Sequence, residues 1–494
     1  MCKEENMRDG TPMESVKSQR NFFQTAWIVI TQITIEPALF LTMFTSVMYQ
    51  LVVQNLYLEK SCRVEIGFEK SVCDAMTERN TSGYTQFQET EVQKMVSEMI
   101  ALRTVIQGSF PLVVVIFAGS WSDRHNRRKP LVLLPIVGEI LCCVFLLINS
   151  IFFYELPFIF TTLGDSIPFA LLGGWSCLNN GIFSYVGAKY KDEEKTLRVG
   201  IMTACLMSGS LIGSSAGGFV YKMVGFVPFF SICIICFITA FLIVYIMLKD
   251  EEVKPCKRVK FCQDIFSFKY IIDTLKTGFK SGPNKRRYKI TAIMLVFLFV
   301  GGPYIGELYM NYMYTRLKFS WDVSYFGVFS TAQMLIQVFG SVFSVVLFSR
   351  ILHWDDTFLG IISVIGSCFS NVIFAFAPSG NYLFFAACCD LFQMTASIAV
   401  RSLMSKLVAA NELGQTNSVL SLFEATLPMI FGPLYTTVYR KTVNTFPGTY
   451  FLVSVGIRIF GLTLFIWLYR EALRERKRLK DQGKEGKELQ CCSC

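Results

Sequence analysis

Apolar stretches near the length that spans a bilayer core, about 20 residues, recur along this chain. Across 494 residues they fall at about 26–49, 104–118, 131–150, 157–186, 199–221, 227–248, 290–314, 323–349, 357–377, 382–405, 416–439 and 449–469. Inside a bilayer no water satisfies backbone N–H and C=O groups, so such spans must be helical. Hydrophobic residues make up 52% of the chain and charged residues 17%, against roughly a quarter charged in soluble domains. The expected fold is an all-α polytopic membrane protein with twelve transmembrane helices in two six-helix bundles.

Charge gives the orientation. Residues 1–25 carry Lys3, Arg8, Lys17 and Arg20 but no apolar core followed by a small-residue cleavage site, so they read as a cytosolic N-tail rather than a cleaved signal peptide. The N-terminal bundle is expected over 26–248, a basic linker over 249–289, the C-terminal bundle over 290–470 and a cytosolic tail over 471–494. With these boundaries the cytosolic segments hold 34 Lys and Arg and the outer segments 11, the asymmetry expected of cytoplasmic loops. The net charge of +10 is thus topogenic and does not imply nucleic-acid binding. The linker alone holds twelve Lys and Arg. Within it Ile265, Phe268, Ile272, Leu275 and Phe279 form an apolar stripe, with Lys269, Lys276 and Lys280 off it, which reads as an amphipathic helix on the bilayer surface. The loop 51–103 is expected on the outer side. It holds the sequon Asn80-Thr81-Ser82, a glycosylation acceptor at Asn80, and the thiols Cys62 and Cys73, which oxidise in such a compartment. The tail ends Cys491-Cys492-Ser493-Cys494, a poor prenylation signal, leaving palmitoylated and free thiols as alternatives. His125 and His353 are far apart in sequence and no metal-ligand spacing appears. No phosphate loop, nucleophile elbow or acid–base–nucleophile set is present, so an enzyme is not expected.

Between the second and third spans lies Gly119-Ser-Trp-Ser-Asp123-Arg124-His-Asn-Arg127-Arg128. A topogenic loop needs cations but no acid. Asp123 can face the positive end of a neighbouring helix and pair with Arg124 or Arg127, a conformational latch that also takes in Arg128. The pattern resembles the signature at this place in major facilitator superfamily transporters, and the count of six spans, basic linker and six spans is similar to their two-bundle plan.

A charge within the membrane requires a partner or a wet cavity. The candidates are Glu36, Asp165, Glu307, Asp390, Arg401, Glu424 and Arg458. Arg401 stands out on the tenth span; snorkelling to the cytosolic edge is its bland reading, with Glu424 and Glu36 as candidate counter-charges otherwise. Trp175, Asn179, Tyr304, Asn311, Gln333, Gln337 and Gln393 are candidate cavity-lining residues, each of which can equally serve in packing. Gly209, Gly213, Gly217 and Gly218 lie near one face of the fifth span and predict close helix approach.

Ile35-Glu36-Pro37-Ala38-Leu39-Phe40-Leu41, Lys195-Thr196-Leu197-Arg198, Ser330-Thr331-Ala332-Gln333 and Val400-Arg401-Ser402-Leu403-Met404-Ser405-Lys406-Leu407-Val408 together resemble segments of solute carrier family 46, which includes the proton-coupled folate transporter. The resemblance spans roughly 26–470. It implies a central cavity lined by the tenth helix and a small organic, anionic solute moved by alternating access; folates, muropeptides and cyclic nucleotides are the family's substrate classes. The family's coupling residues are replaced: Thr203 stands for its helix-five glutamate, Pro303 for its helix-seven histidine and Val328 for its helix-eight tyrosine, while Arg401 keeps its helix-ten arginine. The cysteine that bridges to another loop in the folate carrier falls at Ser320, so the resemblance favours a bridge between Cys62 and Cys73. No cofactor is expected; a proton is the candidate coupling ion, on Glu36, Glu307 or Glu424. The plasma membrane is preferred over the endolysosomal membrane, and the rival class is a non-transporting receptor or scaffold that keeps the fold.

Overall fold

The computed structural model describes residues 35–125, 127–189, 192–248, 285–344, 347–348, 352, 354–407 and 413–491. The N-terminal half contains α1 (Glu36–Lys60), which runs into a π-helical turn at Ser61–Glu65, the short α2 (Lys70–Glu78), α3 (Gln86–His125) and α4 (Lys129–Ile151). It continues with α5 (Phe158–Leu171), α6 (Gly174–Lys189), α7 (Asp192–Val224) and α8 (Phe226–Met247). The C-terminal half contains α9 (Arg286–Phe319), α10 (Val323–Ser344), α11 (Asp356–Phe376), α12 (Gly380–Cys389), α13 (Gln393–Leu407), α14 (Leu413–Thr442) and α15 (Thr449–Cys491). Ten helices among the described residues are long and apolar enough to cross a membrane. The broken pair α5–α6 and α14 complete the twelve spans.

Several helices outrun the apolar stretches that announce them. α1 continues to the turn at Glu65 and α3 begins at Gln86, so of the expected loop 51–103 only residues 66–85 connect the two, and α2 occupies nine of these. The outer ends of α1 and α3 bury Gln54, Asn55, Glu89, Gln93, Ser97 and Arg103 against their neighbours; hydropathy reads such residues as loop, whereas their partners make them core. α3 has 40 residues, about 60 Å at 1.5 Å per residue, twice a hydrocarbon core of about 30 Å. α9 likewise passes the expected end at 314 to reach Phe319, and α15 carries the expected tail from 471 into helix as far as Cys491. The fourth and tenth spans, expected as continuous helices over 157–186 and 382–405, are each broken in the middle. The linker helix at 265–279 and the terminal Cys492 and Cys494 lie outside the described residues.

Within the N-terminal bundle α1 packs along α7 and α8, and α4 along α5 and α8; in the other bundle α9 packs on α14 and α15, and α11 on α13 and α15. α3 meets α14 and α7 meets α10 across the divide. The glycine face of α7 explains its closeness to α1: a Cβ on Gly209, Gly213 or Gly217 would run into the carbonyl oxygens of Phe40, Phe44 and Met48. Gly218, next in line, instead abuts the Ser324 backbone of α10, so one stripe serves two interfaces.

Candidate transport site between broken helices

The two breaks occupy the fourth span of each bundle. In the N-terminal half Gly173 (φ +99°) and Gly174 (φ +55°) separate α5 from α6, conformations that a residue with a Cβ rarely adopts. In the C-terminal half Asp390-Leu391-Phe392 separates α12 from α13, and Gly340 of α10 lets its backbone lie against the Leu391 carbonyl. Interrupted helices at corresponding positions of two repeats are where transporters build their sites, because the interruption frees backbone groups near mid-membrane.

The C-terminal break carries a buried polar network. Asp390 accepts hydrogen bonds from Ser367 Oγ at 2.7 Å and Gln337 Nε2 at 3.3 Å. The Gln393 amide lies 2.6 Å from Asp390 Oδ2 and 3.3 Å from Arg458 Nη2. Arg458 Nη2 pairs with Glu307 at 3.3 Å, and Asn371 donates to the other Glu307 oxygen at 2.7 Å. Tyr304 lies within electrostatic reach of both acids. Helices α9, α10, α11, α13 and α15 therefore meet through one set of polar side chains, a costly arrangement unless every member is satisfied. Trp175 packs edge-on against Phe169 at 6.1 Å, Asn179 is exposed, Gln333 is half-buried, and Asn311 accepts a bond from Tyr450 at 3.0 Å. None of these four joins the network.

The N-terminal bundle has its own centre. Arg103 Nε lies 2.6 Å from Asp165 Oδ2, with side-chain exposures of 4% and 0%. Tyr57 donates to the same carboxylate at 3.2 Å, and Tyr309 of the opposite bundle lies near enough to feel the Arg103 charge. Close by, Glu139 accepts from Ser46 Oγ at 2.9 Å and Tyr49 Oη at 2.6 Å. Nearer the inner end Glu36 pairs with Arg198 at 2.9 Å. That corrects the pairing of Glu36 with Arg401 and places Glu36 in a contact between α1 and α7. Arg401 pairs with Glu424 of α14, and the two side chains are 53% and 32% exposed.

On the outer side Glu89 is gripped by two arginines, Arg79 at 2.7 Å and Arg316 at 3.3 Å. Arg316 also donates to the Met76 carbonyl at 2.8 Å, and Arg79 to the Arg316 carbonyl at 2.5 Å. Cys62 and Cys73 form a disulfide that ties α2 to the end of α1. The bundle-to-bundle pairs Lys222–Asp322, Arg440–Glu98 and Arg316–Glu89 all lie in this outer half and close it. At the inner face Arg128 donates to the Ser184 carbonyl and Lys129 to that of Tyr245 at 2.6 Å, while Arg127 is exposed. The side chains of Asp123 and Arg124 and the surroundings of Gly119 lie outside what the structure describes. Asn80 is exposed beyond α2, its Oδ1 accepting from Ser82 Oγ at 2.6 Å.

Sequence reasoning missed Arg103, Glu139, Glu89 and Arg316. Arg103 and Glu89 fall in a stretch read as loop, yet Glu89, Gln93 and Ser97 already stand four residues apart, the spacing of one helical face. Glu139 interrupts an apolar run and was visible as an intramembrane acid.

Residues 21–433 match the Major Facilitator Superfamily. The "Probable peptidoglycan muropeptide transporter SLC46" of Drosophila melanogaster is 23% identical over 86% of this chain and 84% of its own length. The "Lysosomal proton-coupled steroid conjugate and bile acid symporter SLC46A3" of Gallus gallus is 26% identical over 88% and 93%. The solved human organic anion transporter MFSD10 superposes with a TM-score of 0.59 at 12% identity, covering 87% of this chain and 97% of that one. The chain belongs to the major facilitator superfamily, and the relatives it is similar to include members of solute carrier family 46. Like those relatives it is a multi-pass membrane transporter and not an enzyme.

Proposed function

We propose that this transporter carries a small organic anion by alternating access, its two bundles rocking about the layer of the broken helices. The observation that carries the reading is Arg401: a cation on a membrane helix, paired with Glu424 yet more than half exposed. Such a charge is tolerated where it faces a water-filled cavity and not lipid. On this reading Arg401 and Glu424 face a vestibule on the cytosolic side, and Arg103 with Asp165 is a second, buried arginine–acid pair in the N-terminal bundle. A solute carboxylate or sulfate can take the place of Glu424 on Arg401, the displaced carboxylate, itself 32% exposed, turning to water. The relatives named for muropeptides and for steroid conjugates and bile acids support amphipathic organic acids as the solute class. Asp123 with Arg124, Arg127 and Arg128 latches the inner side in the opposite state, and the membrane that holds the protein is the plasma membrane, which surface biotinylation checks. Uptake of labelled taurocholate, a bile acid, into liposomes containing the purified chain tests the solute class. Accumulation above protein-free liposomes supports it, and no uptake of taurocholate or of a muropeptide would sink it.

A further inference from the structure

We infer that Glu139 is the seat of the coupling proton, an inference that rests on the reading of the solute as an organic anion. In the described membrane interior Glu36 faces Arg198, Asp165 faces Arg103, Glu307 faces Arg458 and Glu424 faces Arg401. Among the described residues two interior acids, Glu139 and Asp390, have no cation within ion-pair distance. They differ in what holds them. Asp390 is held on one oxygen by the amides of Gln337 and Gln393, whose N–H groups can only donate, and on the other by the Ser367 hydroxyl, its one partner able to accept. Glu139 is held by two hydroxyls, Ser46 and Tyr49, which can donate to a carboxylate or accept from a carboxylic acid. The site serves both protonation states without moving the backbone. It lies ten residues from the start of α4 and twelve from its end, at mid-span, where an uncompensated carboxylate is costly and taking up a proton relieves the cost.

The neighbours of Glu139 supply a coupling mechanism. α1 presents Ser46 and Tyr49, α3 presents Arg103, α5 presents Asp165, and α4 itself presents Cys142 and Cys143, the latter facing Cys233 of α8. α6 brings Cys177, packed at the level of Leu131 more than two turns away. Arg103 is the cation in this set, and Tyr49, bonded to Glu139, lies within electrostatic reach of both Arg103 and Asp165. When Glu139 carries a proton the set is neutral and Arg103 can receive an anion. When Glu139 is ionised the set is net negative and repels one. Proton and anion therefore raise each other's affinity, as reciprocal linkage requires, and the pair moves together as symport. The proton adds to a carboxylate oxygen of Glu139, one hydroxyl turns from donor to acceptor, and the proton returns to water on the other side with no other bond changed.

Indicator-dye titration of the purified full chain, from about pH 5 to about pH 8, tests this. The wild type should take up about one proton per chain more than Glu139→Gln, and Asp390→Asn should keep the wild-type count. Coincident curves for wild type and Glu139→Gln, or loss of the step in Asp390→Asn instead, overturn the proposal. Should Glu139→Gln fail to fold, Tyr49→Phe serves: a displaced midpoint supports the assignment and an unmoved one overturns it. Taurocholate added to wild type in dilute buffer should draw a proton that Glu139→Gln does not take up; equal uptake by both overturns the coupling. A wild type that binds no taurocholate counts against the solute reading alone, since the titration still decides where the proton sits.

Discussion

A charged side chain is costly inside a membrane helix, and this chain pairs Arg103, Arg198 and Arg458 each with one acid inside the bundles. Removing one partner leaves the other charge stranded, at a cost of about 3–5 kcal/mol. Asp165→Ala should accordingly lower the thermal unfolding midpoint of the purified protein, and Arg103→Ala combined with Asp165→Ala should recover part of that loss. If the double variant is as unstable as the two losses added, the pair is not coupled. Arg401 differs because its exposure releases it from a folding role. Arg401→Ala should abolish taurocholate uptake with surface protein retained, and Arg401→Lys should restore it only in part, since a point charge lacks the planar fork of a guanidinium. Arg401 and Glu424 were legible in the sequence as charges inside apolar runs. Arg103 was not: it sits beyond the apolar part of α3, and only the burial of a helix twice as long as the bilayer requires brings it to Asp165.

At the scale of elements the outer closure is a joint between α3 and α9 braced by α2. Arg316→Gln removes the guanidinium that joins Glu89, Asn55 and the Met76 carbonyl, so it should favour the outward-open form. Amides near Met313 should then exchange hydrogen faster than in the wild type, and unchanged protection there would show that the closure does not depend on this arginine. Reducing Cys62–Cys73 should act in the same direction through α2. The glycine face of α7 was legible because its spacing is local information; Gly213→Val should separate α1 from α7 and lower expression sharply, read as the loss of a monodisperse peak in detergent. The breaks were less legible. Gly173-Gly174 is a visible pair, but its positive φ angles follow from packing against Pro111 and Cys177. Asp390 looks like any intramembrane acid until Ser367 and Gln337 are seen to hold it.

For the molecule as a whole, the alternation of apolar and basic segments sufficed for the spans and their orientation, because the bilayer forces each long apolar segment into a helix and charge fixes which way it runs; their grouping into two bundles came from the resemblance to major facilitator proteins. Two further outcomes belong to this scale. Glycosidase treatment of surface protein should shift its mass through Asn80 alone, and an unshifted mass would require the threading to be reversed. Asp123→Ala should reduce transport with little loss of surface protein; a proportional loss of both would assign Asp123 to folding. The two broken spans, finally, are unequal joints. The N-terminal one is made of two glycines without side chains, Gly173 being tied through its backbone to Ala170 and Cys177 of its own span, whereas the C-terminal one is anchored by an aspartate to α10 and α11. Bending should therefore concentrate in the first, leaving the second as a fixed bearing. A bulky inhibitor wedged beside Gly173 would stall the cycle at far lower occupancy than one lodged beside Asp390.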